Sequence, residues 1–248
     1  MSRFIAKSNL PESDVKALIC GGLNKELIKY FTDIGIEIYL TQVNKNIDPS
    51  VSEHCDLSAL YLGNGKIITD KCQFALIERL QSDGFDVINT VKFVSGSYSG
   101  DCILNHTLID KYIIGNSKIF DEAVLRECKN FKLISTKQGY CKCSVLVIDE
   151  KSVITDDESI ARSCRLNGIE SLLISKGDIR LNGHEYGFIG GASGKISKDK
   201  VVFFGDITKH RDYLKINEFI SERGMKIISF DFPLTDFGGI IPVKENNF

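Results

Sequence analysis

Short apolar runs that stop at small or polar residues recur along the chain. They read Leu18-Ile19-Cys20-Gly21, Ile67-Ile68-Thr69-Asp70, Ile113-Ile114-Gly115-Asn116, Val153-Ile154-Thr155-Asp156 and Phe203-Phe204-Gly205-Asp206. Successive runs lie 40 to 50 residues apart, the period of a repeated supersecondary unit. A stretch with apolar residues near i, i+3, i+4 and i+7 follows most of them, which predicts helices over Phe74–Gln81, Glu122–Cys128, Ser159–Leu166 and Tyr213–Glu222. A second apolar strand then comes, usually after a glycine suited to a helix C-terminus, as in Gly35-Ile36-Glu37-Ile38 and Gly168-Ile169-Glu170-Ser171.

A leading strand precedes each run in the three middle units. These strands are Ala59–Leu62, turning at Gly63-Asn64-Gly65; Cys102–Asn105; and Ser144–Ile148, turning at Asp149-Glu150-Lys151. Asn-Gly between apolar runs is a strong hairpin signal. The first unit lacks its leading strand, and an unpaired strand-like piece, Gly238-Gly239-Ile240-Ile241-Pro242-Val243, lies near the end of the chain. The expected fold is therefore α/β: a five-fold pseudo-symmetric propeller of strand-strand-helix-strand units in one domain, 1–248. The units are expected near 15–46, 51–94, 97–138, 140–180 and 184–232, with 237–243 closing the ring and removing exposed sheet edges.

Composition limits what such a fold does. Net charge −2 excludes nucleic-acid binding through bulk basicity. No apolar run approaches a membrane span, and the N-terminus has no signal-peptide core, so a cytoplasmic protein is expected. Abundant Ile, Lys and Asn with no Trp suit an AT-rich bacterial genome. The eight cysteines have no paired CxxC spacing, so neither a structural zinc nor a disulfide framework is expected. The glycine-rich stretch Gly187–Gly194 has neither phosphate-loop pattern, so no cofactor is expected.

Superposing the units gathers polar residues from distant stretches at one mouth of the ring: His54-Cys55-Asp56, Gly100-Asp101, Cys141-Lys142-Cys143, Gly190-Gly191 and Asp236-Phe237-Gly238-Gly239. Converging polar groups are the default binding site. Each also has a plainer role. Asp56 and Asp101 suit turn caps, Cys141 and Cys143 alternate like a packed strand face, and the glycine pairs suit bulges. His184 and His210 read as solvated, and Cys20, Cys72, Cys128 and Cys164 as packing.

The stretch Ser99-Gly100-Asp101-Cys102-Ile103-Leu104, followed by Tyr112-Ile113-Ile114-Gly115-Asn116-Ser117, resembles the E-G-G-D-V-L…V-G-x-S passage of the pentein superfamily. Asp56–Ile68 resembles that superfamily's acidic strand and hairpin. This is the five-bladed fold of guanidino-group-modifying enzymes, among them arginine and agmatine deiminases, dimethylargininases and amidinotransferases. The resemblance implies acidic residues that hold a guanidinium, a planar fork suited to carboxylates. It also implies a Cys nucleophile in a GG-x-x-C strand and a His in x-H-L-K-S. Here Pro242 takes the Cys position and Cys141 the His position.

Three functions follow. The first is a pentein without the superfamily's catalysis that binds a small polar or cationic ligand through Asp56, Asp101, Asn105 and Asp236, with Gly238 and Gly239 admitting close backbone approach. The second is a thiol-dependent hydrolase of C–N bonds with a relocated nucleophile, Cys141 or Cys143, and His54 as base. The third is a non-enzymatic protein-interaction module. The long stretch Glu185–Lys200 reads as an elaborated hairpin, a lid or a partner loop.

Overall fold

In the computed structural model, which describes residues 1–247, the units are laid out as follows. The first holds β1 (Ser2–Phe4), β2 (Val15–Cys20), α1 (Lys25–Asp33) and β3 (Glu37–Leu40). The second holds α2 (Cys55–Ser58), β4 (Ala59–Gly63), β5 (Lys66–Thr69), α3 (Phe74–Ser82) and β6 (Asp86–Asn89). The third holds β7 (Thr107–Ile109), β8 (Tyr112–Gly115), α4 (Glu122–Glu127) and β9 (Lys132–Ser135). The fourth holds α5 (Cys141–Ser144), β10 (Val145–Asp149), β11 (Ser152–Thr155), α6 (Glu158–Leu166) and β12 (Glu170–Leu173). The fifth holds β13 (Ser193–Ser197), β14 (Lys200–Phe203), α7 (Tyr213–Ser221) and β15 (Lys226–Ile228). The last strand is β16 (Ile241–Asn246).

The result is five small mixed sheets. In β4-β5-β6, β7-β8-β9, β10-β11-β12 and β13-β14-β15, an antiparallel hairpin is extended by a parallel third strand. The first sheet, β1-β16-β2-β3, has the same plan with its antiparallel partner taken from the other end of the chain, and β1 adds a fourth strand that periodicity does not reveal. Each crossover is a helix, as a parallel neighbour requires. In the hairpins of β4, β10 and β13 the register slips at one shared place, between Tyr61 and Gly63, Val147 and Asp149, and Lys195 and Ser197.

The helices are too short to persist alone and depend on packing. α1 is started by the Asn24 side chain, which accepts from the Leu27 N–H, and it buries Leu27 and Phe31 one turn apart. α6 is started in the same way by Asp157 and buries Ile160, Ala161 and Cys164. The apolar core is divided into four clusters, each bridging neighbouring units. One joins the first unit to both the second (Tyr61, Ile67) and the fifth (Val202, Phe204). The leading strands also meet: β7 with β10, β10 with β13, β13 with β16 and β16 with β4. Among the described residues no helix is long and apolar enough to cross a membrane.

Three sequence expectations need correcting. Cys141 and Cys143 do not alternate on a strand face, because Cys141–Ser144 is the helical turn α5 and the strand starts at Val145. Cys102–Asn105 is a turn, not a strand: the Asn105 N–H donates to the Cys102 carbonyl and the His106 N–H to that of Leu104, so the third hairpin starts at Thr107. His210 is buried rather than solvated, with Nδ1 accepting from the Asp212 N–H.

β16 is fastened by Glu245. Its carboxylate is buried and accepts from Arg3 Nε (3.0 Å) and from the backbone N–H groups of Glu12 (2.6 Å) and Ser13 (3.0 Å). Replacing Glu245 by Ala takes the acceptor from the Glu12 and Ser13 N–H groups and is expected to cost about 2–3 kcal/mol in urea unfolding. Glu150→Ala, at an exposed ion pair with Lys7, should cost under about 1 kcal/mol. Equal small losses at both positions would show that β16 is not held this way.

Candidate functional site

The turns just before β4, β7, β10 and β16 meet around a cavity of about 650 Å³. Its polar lining includes His54, Asp101, Cys143 and Asp236, with Asp48, His184 and Glu185 towards the outside. Aromatic rings form one wall. Tyr140 lies between Tyr98 (centroids 5.8 Å apart) and Phe188 (6.3 Å), and Tyr186 meets Phe188 edge-on. Tyr186 and Phe188 come from the long stretch after Glu185, so this segment builds cavity wall.

Asp236 is fixed by its own turn. Oδ1 accepts from the Gly238 N–H and Oδ2 from the Phe188 N–H, both at 2.9 Å. Gly187 and Gly191 make room for it, because a Cβ at either would fall within 2.5 Å of Asp236 atoms. His54 Nδ1 lies 3.9 Å from Asp236 Oδ1. Asp101 accepts the Tyr140 hydroxyl hydrogen at 2.6 Å through Oδ2, while Oδ1 is buried with no partner.

Beneath the cavity wall lies a second polar layer. The Asn105 amide is fully used. Oδ1 accepts from the Lys142 and Cys143 N–H groups, and Nδ2 donates to the Asp56 carbonyl and to Cys143 Sγ. The Cys143 thiol donates to Asp56 Oδ2 at 2.9 Å, and Asp56 Oδ1 has no partner. Burial raises the Asp56 carboxyl to about 6. Burial also pushes the Cys143 thiol well above its ordinary range, and the charges of Asp56 and Asp236 push it the same way. In the fourth unit, Asp156 is buried with neither oxygen paired and is raised to about 7, first by burial and in smaller part by the charges of Asp157 and Asp236. In the sequence Asp156 is only the polar residue at which the run Val153-Ile154-Thr155 stops, a place that does not reveal its burial.

The predicted residues therefore separate into two layers. His54, Asp101, Cys143 and Asp236 line the cavity; Asp56 and Asn105 support it from behind. Gly238 and Gly239 bring backbone against protein, not towards the cavity. A Cβ on Gly238 would meet the His54 ring at 2.5 Å, and one on Gly239 the Gly190 carbonyl at 2.7 Å; both glycines have positive φ. Cys141 is buried in an apolar cluster with its thiol on the Gln138 carbonyl, outside the lining. Cys55 and Cys102 are likewise buried, with thiols on the carbonyls of Gly238 and Ser99. Pro242 lies in β16 opposite Leu18 and is not part of the lining. The aromatic wall was missed by sequence reasoning; the spacing of Tyr98, Tyr140, Tyr186 and Phe188 carries no period that would reveal it.

What the arrangement can do follows from its charges. Asp48, Asp101, Glu185 and Asp236 face the cavity, and no lysine or arginine is among the described residues lining it. It suits a cation whose flat or apolar part rests on aromatic rings. It does not suit a resting thiolate. Iodoacetamide at about pH 7 should modify Cys72, the one described cysteine that is not buried, and should modify Cys143 at least about tenfold more slowly than free cysteine. Asp56→Asn removes a negative neighbour and should speed the Cys143 reaction. Peptide mass mapping reads both, and a native Cys143 that outpaces free cysteine would refute the protonated thiol.

The fold is that of the pentein superfamily. The amidinotransferase SxtG of the saxitoxin biosynthetic pathway, from Microseira wollei, superposes with TM-score 0.62 at 11% identity, covering 98% of each chain. The inosamine-phosphate amidinotransferase from Streptomyces griseus superposes with TM-score 0.63 at 9% identity, covering 99% of this chain and 98% of its own. The agmatine deiminase from C. jejuni gives TM-score 0.53 at 11% identity, covering 91% of each. At such identities the likeness speaks for the fold alone. No curated protein matches the sequence. The match of residues 18–241 to one family's sequence model, nearly the whole chain, makes this protein a member of the family of unknown function DUF6873.

Proposed function

We propose that this protein binds a small organic cation, guanidinium- or amine-bearing, in the acidic cavity, and does so without the thiolate chemistry of guanidino-modifying penteins. The observation that carries this reading is the lining itself: four carboxylates, an aromatic wall and no lysine or arginine. Asp101 Oδ1 and Asp56 Oδ1 are the unpaired acceptors in and behind that wall. Leaving buried acceptors unmet costs about 1–3 kcal/mol each, which a bound donor at Asp101 would recover. The five sheets are read here as blades of a closed ring with the cavity at one mouth. Support comes from core clusters that run from unit to unit and from the fifth to the first.

The absence of turnover rests on three positions. Pro242 and Cys141 stand where the superfamily pattern has its Cys and His, and Cys143 is held protonated against Asp56. A second reading, Cys143 as a relocated nucleophile with His54 as base, is favoured by one fact: Cys143 is the one thiol among the described residues lining the cavity. Ammonia release from agmatine or arginine, lost in Cys143→Ser, would support that reading over the first.

Calorimetric titration of the chain with agmatine, guanidinium and butylamine, and with urea and glucose as neutral controls, tests the binding. Cations are expected to bind and controls not. Asp101→Asn should weaken binding about tenfold or more, since a charge-assisted bond becomes a neutral one. Affinity should fall as the pH drops from about 7.5 to about 5. Asp56 takes up a proton near pH 6, and a cation binds less well beside a neutral carboxyl. Failure of all three cations to bind, or equal binding of the native chain and Asp101→Asn, would overturn the proposal.

A further inference from the structure

We propose that Lys195 anchors a second binding site, for a small oxyanion (a carboxylate or phosphate group), in a cavity separate from the acidic one. This cavity, about 900 Å³, lies at the turn ends of the β10–β11 and β13–β14 hairpins, whereas the acidic cavity lies at the starts of the leading strands.

Lys195 stands in the middle of β13 and is the one buried lysine among the described residues, 6% exposed. The hairpin registers put it where β4 has Tyr61 and β10 has Val147: each faces the central run one residue before the bulge, opposite Val201, Ile67 and Val153 respectively. The fold needs no charge at this position, since both equivalents are buried without one.

The Lys195 ammonium donates to the Ile148 carbonyl at 2.7 Å, and no carboxylate among the described residues comes within ion-pair distance. An ammonium has three donors, so two remain to be met. Taking a cation out of water without a counter-charge costs several kcal/mol. Burial lowers its proton affinity to about 8, the direction expected of a cation missing its partner.

Of the carboxylates on the cavity wall, Asp149 and Asp199 raise the proton affinity of Lys195 from beyond ion-pair distance, against the opposing charge of Lys198, and none makes contact with it. Glu12 is paired with Arg3, Asp149 with Arg223 and Glu150 with Lys7. Asp199 accepts from the Ser197 hydroxyl. Lys151 and Lys198, exposed on the two turns, make no ion pair among the described residues and border the same space. An oxyanion seated here would meet one buried ammonium and be flanked by two exposed ones.

The test uses the whole chain with inorganic phosphate and succinate as probes, the first reading phosphate and the second carboxylate recognition. At least one probe should raise the melting temperature of the native chain and leave Lys195→Met unmoved. The same probe, at ten times its Kd, should slow acetylation of Lys195 by acetic anhydride about tenfold, read by peptide mass mapping. An equal rise in both proteins would be a general salt effect and would overturn the site. So would unchanged acetylation of Lys195 with both probes, a readout that decides the matter even where the Met variant does not fold.

Discussion

The antiparallel seat of β16 between β1 and β2 is the constraint on which the molecule depends. Without it the first sheet is the parallel pair β2–β3 with an open edge, and the first core loses Ile241 and Val243. The same seat fixes the preceding turn. Gly238 and Gly239 place their carbonyls over the Cys55 thiol, and Asp236 is thereby delivered to the cavity. One pairing closes the first sheet and supplies a charged wall of the candidate site.

Much of this was legible in the sequence because it is periodic. The central runs ending at Cys20, Thr69, Gly115, Thr155 and Gly205 mark β2, β5, β8, β11 and β14, since a strand buried on both faces has to be continuously apolar. Elements without a period were not legible. β1 is a three-residue strand formed only because β16 offers it a partner. Cys102–Asn105 has the apolar composition of a strand, but local turn bonds there outweigh β propensity.

The candidate site was half legible for the same reason. Equivalent turn positions brought His54, Asp101, Cys143 and Asp236 to one place. Symmetry cannot say which side of a turn faces the cavity, and so Asn105 and Asp56, whose polar atoms point into the protein, were grouped with residues that face outward. Two buried ionisable groups, Asp156 just after β11 and Lys195 within β13, stood in otherwise ordinary strand patterns. Only burial and missing partners distinguish them.

In the first sheet, Ser2 lies opposite Asn246, so the two ends of the described chain are neighbours. Residues distant in sequence form that sheet, whereas the other four are built from local hairpins. The first sheet carries most of the loop-closure entropy, the term that slows folding. Joining the ends and opening the chain at the Asn64-Gly65 turn would reverse this. The same molecule, circularly permuted, would have β16 and β2 close in sequence, and the second hairpin would become the long-range pairing.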